Sequence, residues 1–316
     1  MFSDFRLAYY RFTLQVGEGG LVLSPFKGDL LRQGRFETLL RRQCCISRRP
    51  ECGEGCLAKT NCPYAFMFKE VDAGHFSPRN IHLLSPPITW HPPLEKKTDY
   101  VPGENIYFHL ALVGRGISFL DKFVITMAEM GEEALKGDGH FVLRSVTAVC
   151  PLSGAEQLIY QHGNEQIADT ELFISERKLE AWAKAQLPLK RFRILFLTPT
   201  CLQVQGEYMQ EPLFHVLVRE LFRKTTTLYY YFHNNKEMEV NYREFLKKAE
   251  QVQIIRNHTR FDLGNKRGAY GNAVGLLGEV GYSNPDSEFL PLFKLGEYIN
   301  LGPQAPIGLG RYRLKL

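Results

Sequence analysis

Residues 294–316 read Lys-Leu-Gly-Glu-Tyr-Ile-Asn-Leu-Gly-Pro-Gln-Ala-Pro-Ile-Gly-Leu-Gly-Arg-Tyr-Arg-Leu-Lys-Leu. A glycine- and proline-rich loop, Gly302 to Gly310, runs directly into a segment of alternating basic and bulky residues. Glycine permits positive φ angles and close backbone approach, and strand alternation places Arg311, Arg313 and Lys315 on one face. The pattern predicts a tight loop and a closing strand that contact a polyanion backbone. The alternative is a tight connection into an edge strand whose charged face is solvated.

The length and composition are those of a folded, mildly basic chain. Its 316 residues are long for one core and suit two domains. A net charge of +5 permits nucleic-acid binding without requiring it. No secretory signal pattern opens the sequence, and no apolar run approaches the roughly 20 residues that span a bilayer. We therefore expect a cytoplasmic protein with no membrane partner.

Both halves of the chain carry alternating strand and helix patterns. The first half predicts strand, helix, strand, helix and strand at 5–16, 27–42, 105–113, 117–135 and 141–149. The second half predicts a strand, a long amphipathic helix, two strands, a short helix and a strand at 191–200, 213–228, 251–262, 274–282, 288–295 and 311–316. Each half approximates a βαββαβ unit. The predicted fold is α+β, with two ferredoxin-like, RRM-like domains at 1–150 and 190–316. The linker predicted between them, 151–189, contains a short helix near 176–186.

Five of the seven cysteines cluster between Cys44 and Cys62 in a predicted insertion, residues 44–68. An odd, clustered set in a cytosolic chain argues against a disulfide framework. Four thiolates suit tetrahedral structural zinc, and nearby glycines let the chain curl around an ion. Reduced thiols, a disulfide and an iron–sulfur site are the alternatives, and Cys44 could replace Cys45. The predicted zinc ligands are Cys45, Cys52, Cys56 and Cys62.

Several motifs occur in an order that resembles one protein family. They are Phe196-Leu-Thr-Pro199 after a strand, a helix with Arg223-Lys224, Gly275-Leu-Leu-Gly-Glu-Val-Gly-Tyr282, and the glycine-rich loop. Together they resemble the CRISPR-associated precursor-crRNA processing endoribonucleases of the RAMP superfamily. Pro25-Phe-Lys-Gly28, Cys62-Pro-Tyr64 and the segment 102–108 are similar to one branch of that family.

This resemblance implies an activity and a set of partners. It implies two ferredoxin-like domains side by side, with CRISPR repeat RNA or crRNA bound across them. It also implies metal-independent cleavage, in which a ribose 2′-OH attacks the neighbouring phosphate and leaves a 2′,3′-cyclic phosphate and a 5′-OH. That reaction needs a base, a proton donor and positive charge beside the phosphorane. Other subunits of a CRISPR effector complex are further expected partners.

The site residues follow from the resemblance, with one departure. Many family members place a histidine on or just after the first helix, and residues 27–45 contain none. We therefore assign cleavage to Lys27, Arg32 and either His75 or His258, although His258 could simply end a polar strand. His109, inside an apolar strand pattern, is expected to be packed. The predicted RNA-binding residues are Arg260, Lys266, Arg267, Gly302, Gly308, Gly310 and Arg311.

Two other functions are compatible with the sequence. The missing helix histidine favours a non-catalytic RAMP-type subunit that holds crRNA in an effector complex. A third interpretation omits RNA and makes the chain a zinc-containing protein-interaction scaffold. Salt-sensitive RNA affinity would argue against the scaffold.

Overall fold

The computed structural model describes residues 4–32, 35–45, 56, 62–68, 86–133, 139–164, 166–233, 238, 240–265, 269–283 and 285–316. None of the helices within these ranges is both long enough and apolar enough to cross a membrane.

The first half forms an antiparallel sheet backed by helices. Its elements are β1 (Arg6–Val22), α1 (Asp29–Arg32), α2 (Arg35–Cys44), α3 (Pro63–Phe68), β2 (Ile88–His91), β3 (Asp99–Tyr100), β4 (Asn105–Val113), α4 (Leu120–Glu132) and β5 (Gly139–Cys150). Strand β1 pairs with β4 on one side and β5 on the other, and β2 pairs with β4. The order β2-β4-β1-β5 is that of a ferredoxin-like βαββαβ unit.

Alternation along β1 determines which face of this sheet is buried. Ala8, Tyr10, Phe12, Leu14 and Val16 are buried in one core together with Leu39 of α2 and Phe123 of α4. The intervening residues, among them Arg11, Thr13 and Gln15, lie on the opposite face because successive strand side chains alternate.

The segment predicted as a linker, 151–189, contains regular structure. It comprises β6 (Ala155–Gln161), β7 (Phe173–Ser175) and α5 (Glu176–Ala185). Strand β6 pairs with β5, and β7 pairs with the first residues of β1. The first sheet therefore extends beyond residue 150.

The second half repeats the same plan. Its elements are β8 (Phe192–Thr200), β9 (Gln203–Val204), β10 (Glu207–Tyr208), α6 (Phe214–Phe232), α7 (Tyr242–Glu250), β11 (Ile254–Asp262), β12 (Gly275–Tyr282), α8 (Leu290–Ile299) and β13 (Tyr312–Lys315). The antiparallel order β11-β12-β8-β13 matches that of the first sheet. The predicted pair of tandem ferredoxin-like domains is confirmed.

A third apolar cluster joins the two domains. Leu7 and Tyr9 of β1 pack with Phe232 of α6 and with Tyr298 and Ile299 of α8. Burial of a large apolar side chain contributes about 1.5–3 kcal/mol. Because this shared cluster is extensive and apolar, it holds the domains in one arrangement.

Candidate nucleic-acid interface

The first sheet presents a polar face opposite its helices, formed by residues of β1 and β4. Arg11 pairs across the strands with His109, and Thr13 pairs with Tyr107. Tyr107 is 46% exposed. Arg11 donates two hydrogen bonds, of 2.8 and 2.7 Å, to the carboxylate of Glu156 in β6. This face offers an aromatic ring and several polar groups to a ligand.

The second sheet presents a basic face. His258, Glu279, Leu195 and Arg313 form one row of cross-strand neighbours across β11, β12, β8 and β13. Arg256 and Arg260 lie two residues on either side of His258, so the strand period places them on the same face. Within the described part of the chain, Arg256, Arg260 and Arg313 have no acidic partner. Their charges are therefore available to an anionic ligand.

Glu279 is the acidic group within this basic face. Its carboxylate accepts a 2.9 Å hydrogen bond from Arg193 and a 2.6 Å hydrogen bond from Lys315. The hydrogen bonds from Lys315 and the charges of both partners lower the pKa of Glu279. Two basic side chains thus neutralise one carboxylate, and the face keeps its net positive charge.

His258 is exposed on this face, as the predicted cleavage role requires. Its Nε2 accepts a 2.5 Å hydrogen bond from Nε of Arg256. In that contact Nε2 is a hydrogen-bond acceptor. A histidine nitrogen that acts as an acceptor can take a proton from a hydroxyl group.

Lys27 is buried, and it stabilises the first domain. Its Nζ donates to the carbonyl oxygens of Pro25 at 3.3 Å, of Glu95 at 2.8 Å and of Lys97. Burial lowers its pKa. Because all three ammonium protons are engaged, Lys27 ties the loop before α1 to the loop after β2. Arg32 lies in α1 with its side chain outside the described residues, where His75, Lys266 and Arg267 also lie.

The glycine-rich loop lies against the first domain, with its three glycines buried and Pro303 and Gln304 exposed. Gly302, Gly308 and Gly310 have φ angles of 76°, 96° and 69°. The backbone amides of residues 307 and 309 donate to the carbonyl oxygen of Gln304, and the amide of residue 308 donates to that of Ala305. The amide of residue 310 donates to the carbonyl oxygen of Pro199, and the amide of residue 311 donates to the Thr198 hydroxyl. These five donors are already used, so a phosphate would have to displace an internal bond to reach them. The tight loop that the sequence predicted is present, and these hydrogen bonds join it to β8. Contact of Gly302, Gly308 and Gly310 with RNA stays a prediction.

Arg311 fastens this loop to the first domain. Its Nη1 donates to the carbonyl oxygen of Pro92 at 3.2 Å. A Cβ atom on Gly308 would meet the Pro92 ring at 2.3 Å, which shows how closely the loop approaches β2. The charge of Arg311 also acts on Tyr9 and His109, so the start of β13 lies beside the polar face of the first sheet.

Buried polar residues underlie this junction, and the sequence patterns gave no indication of them. Lys224, His91 and Asn300 are each at most 2% exposed. His109, predicted to be packed, stacks on Tyr9 at a centroid distance of 5.2 Å and is half-buried on the polar face. Burial, followed by the charges of Arg311 and Arg11, lowers its pKa to about 4.

The stability of the protein should rise with pH above neutrality because of Lys224. Burial lowers its pKa from 10.5 to about 7. Between these values the unfolded chain binds a proton that the folded chain does not, so the free energy of unfolding increases with pH. We expect a gain of about 1–2 kcal/mol between pH 7.5 and 9 in urea unfolding. The Lys224→Met variant should lack this gain; equal pH dependence in both proteins would contradict the prediction.

The described part of the cysteine module comprises residues 44, 45, 56 and 62–68. Burial raises the pKa of the Cys44 thiol to about 11, and Sγ of Cys62 lies 3.9 Å from the carbonyl oxygen of Cys44. In these ranges no three His, Cys, Asp or Glu side chains form a group that could hold a metal ion. The predicted ligand Cys52 lies outside them, so zinc stays a prediction.

Zinc analysis of the purified protein tests this prediction. We expect about one zinc per chain, because four thiolates form a closed structural site. Replacement of Cys56 and Cys62 by serine should abolish zinc binding and lower the thermal midpoint. A metal-free sample that unfolds at the wild-type midpoint would refute structural zinc.

Two protein-family models match the chain. A model described as the N-terminal domain AF_1859_N matches residues 5–172, which is more than half of the chain. A model described as CRISPR-associated endoribonuclease Cas6 matches residues 194–312. No curated protein sequence matches.

Solved structures share the fold. A partial Cas6-RT-Cas1–Cas2 complex aligns with a TM-score of 0.59 and 13% identity, covering 99% of this chain and 46% of that one. The chain thus spans about half the length of that relative. A Thermus thermophilus Cas6 product complex aligns with a TM-score of 0.52 and 16% identity, covering 98% and 100%. A second Cas6 product complex aligns with a TM-score of 0.53 and 17% sequence identity, and the alignment covers 98% of this chain and 100% of that one.

Proposed function

Because this chain belongs to the CRISPR-associated Cas6 family, we propose that it is an endoribonuclease that cleaves CRISPR repeat RNA to mature crRNA. The observation that carries this proposal is the basic face of the second sheet, whose strand β13 starts beside the polar face of the first sheet. Arg256, Arg260 and Arg313 supply positive charge to an RNA backbone. Tyr107 offers an exposed ring on which an unpaired base can stack.

The proposed reaction needs no metal ion. A ribose 2′-OH gives its proton to Nε2 of His258, and the oxygen attacks the neighbouring phosphorus. The bond from phosphorus to the 5′ oxygen breaks, leaving a 2′,3′-cyclic phosphate and, after protonation, a 5′-OH. Arg256, displaced from His258 by the substrate, and Arg260 would stabilise the charge of the phosphorane.

The other residues predicted from the sequence have structural, catalytic or RNA-binding roles in this proposal. Lys27, with three carbonyl acceptors, positions the loop before α1 and does not transfer protons. His75 would protonate the leaving oxygen, and Arg32 would supply positive charge beside the phosphorane. Lys266 and Arg267, which follow β11 in the sequence, would bind RNA.

Cleavage is tested with the chain's own repeat RNA in EDTA. We expect a cyclic-phosphate product, and we expect His258→Ala to lower the single-turnover rate by about 100-fold, the typical contribution of a general base. The matched control is His162→Ala, an exposed histidine after β6, which should cleave at the wild-type rate. A wild-type rate for His258→Ala would remove His258 from the mechanism.

A non-catalytic crRNA-binding subunit is the second candidate function. It is favoured by the engagement of Lys27 with three carbonyl groups and by the absence of histidine from residues 27–45. Such a subunit would bind other CRISPR effector subunits and shift the repeat RNA without cutting it. Single-turnover cleavage by the wild-type protein would exclude this role.

A further inference from the structure

Hydrogen bonds link four buried residues across the apolar domain interface. Lys224 of α6 donates from Nζ to the carbonyl oxygens of Ile299 at 2.6 Å and Asn300 at 3.1 Å. Asn300 Oδ1 lies 2.9 Å from Nε2 of His91, and Nδ1 of His91 lies 2.8 Å from the Tyr9 hydroxyl. We call Lys224, Asn300, His91 and Tyr9 the interdomain chain. It connects the second domain to two strands of the first.

Burial determines the protonation states of two members of this chain, His91 and Tyr9. Burial, with a further contribution from Arg311, holds the pKa of His91 well below its ordinary value, and burial raises the pKa of Tyr9. A neutral His91 accepts from the Tyr9 hydroxyl at Nδ1 and donates to Asn300 from Nε2. Both ring nitrogens are therefore satisfied, and the bonds from Tyr9 through His91 and from Lys224 converge on Asn300 as their acceptor.

The apolar cluster between the domains could hold them together without the four polar residues of the interdomain chain, so their burial needs another explanation. Buried polar groups are unfavourable unless each is hydrogen bonded, whereas directional bonds restrict the relative position of the elements that they join. Directional bonds are most useful here because Asn300, with φ +55°, is followed directly by the glycine-rich loop. Leu301 then pairs with the Gly310 carbonyl, and Arg311 binds Pro92, the neighbour of His91.

We propose that the interdomain chain is a positioning device for the RNA-binding surface. It sets where the glycine-rich loop and Arg313 lie relative to the polar face of the first sheet. The residues of the chain are buried and do not touch the RNA; they act through the loop. The positional part of this inference stands without RNA, and its effect on affinity rests on the proposed function.

Hydrogen exchange in the full-length protein tests the positional part. His91→Phe removes both hydrogen bonds of the imidazole ring. We expect the protection factors of the amides of residues 307–311 to fall at least tenfold. The amides of β12, in the second sheet, should keep theirs. His91→Gln, which retains a donor and an acceptor, should restore much of the loop protection. An unchanged loop, or an equal loss in β12, would overturn the proposal.

A double variant separates a connected chain from independent contacts. His91 and Lys224 are linked through Asn300, so Lys224→Met and His91→Phe together should reduce loop protection no more than the stronger single variant. If the loss of protection in the double variant equalled the product of the losses in the two single variants, His91 and Lys224 would act independently, and the proposal would be overturned. The control is Thr225→Val beside Lys224, since the Thr225 hydroxyl has no partner in the described part of the chain; it should leave loop exchange unchanged.

RNA affinity is measured on the same variants with the repeat RNA. We expect His91→Phe to weaken binding about tenfold by a change in geometry and His91→Gln to recover it. If the loop loosens but the affinity of His91→Phe equals that of the wild type, the chain does not position the RNA surface. If the wild-type protein binds no RNA, the proposed function fails while the exchange result still decides the positional claim.

Discussion

Replacement of Gly310 by alanine is expected to lower the free energy of unfolding by about 3–5 kcal/mol. Gly310 has a φ of +69°, and a Cβ atom there would lie 1.7 Å from the carbonyl oxygen of Leu301. The obstacle is backbone, and Leu301 is held by its own hydrogen bond to Gly310. The backbone at Gly310 and the backbone at Leu301 therefore cannot move apart unless the loop opens. Urea unfolding measures the loss, and hydrogen exchange should show it first at residues 301–311.

Gly154→Ala provides the matched control. Gly154 has a similar φ of +73°, but no atom lies within 4 Å of the position of its Cβ. The change there costs only the left-handed conformation, about 1 kcal/mol. Equal losses in the two variants would show that the close approach within the loop contributes nothing.

Removal of the unpaired arginines from the second sheet should weaken RNA binding about 100-fold at moderate salt. The variant replaces Arg256, Arg260 and Arg313 by alanine. Each phosphate contact with single-stranded RNA contributes about 0.7 to the slope of log affinity against log salt. The slope should therefore fall by about 2 when affinity is measured across a salt series.

A control with the same charge change identifies the face. Arg243, Lys247 and Lys184 are exposed on α7 and α5, the helical side of the second domain. Their replacement by alanine also removes three positive charges, so the general electrostatic attraction falls equally. The slope should stay near that of the wild type. Equal slopes in the two triple variants would show that RNA does not bind to the basic face.

The fold could be predicted from local patterns where one face of an element is buried. Alternation in β1 and β8 and the amphipathic pattern of α6 predicted these elements close to their positions. Strand β7 has three residues and no detectable period, so nothing in 151–189 indicated that it joins the first sheet. The long helix predicted at 27–42 is replaced by α1 and α2.

The site was harder to predict because its geometry depends on distant partners. Lys27 was predicted to take part in cleavage, yet its side chain binds the carbonyl oxygens of Glu95 and Lys97, about 70 residues away in the sequence. Lys224 in an amphipathic helix seemed ordinary, and its partners are the carbonyl groups at the end of α8. The glycine spacing predicted a tight loop correctly, but not that Pro199 and Thr198 would take up its amide donors.

The central position of β1 has a consequence for how the chain folds. Tyr9 pairs with Ala111 and with Val149, and Leu7 pairs with Ile174. These contacts give the first domain a high contact order, so a large loop-closure entropy must be overcome before its sheet can form. During synthesis, Gln15 gains its partner Asn105 only 90 residues later, and Tyr9 gains Val149 only 140 residues later. Folding of the first domain is thus expected to lag behind translation, and its rate should be most sensitive to substitutions in β4 and β5.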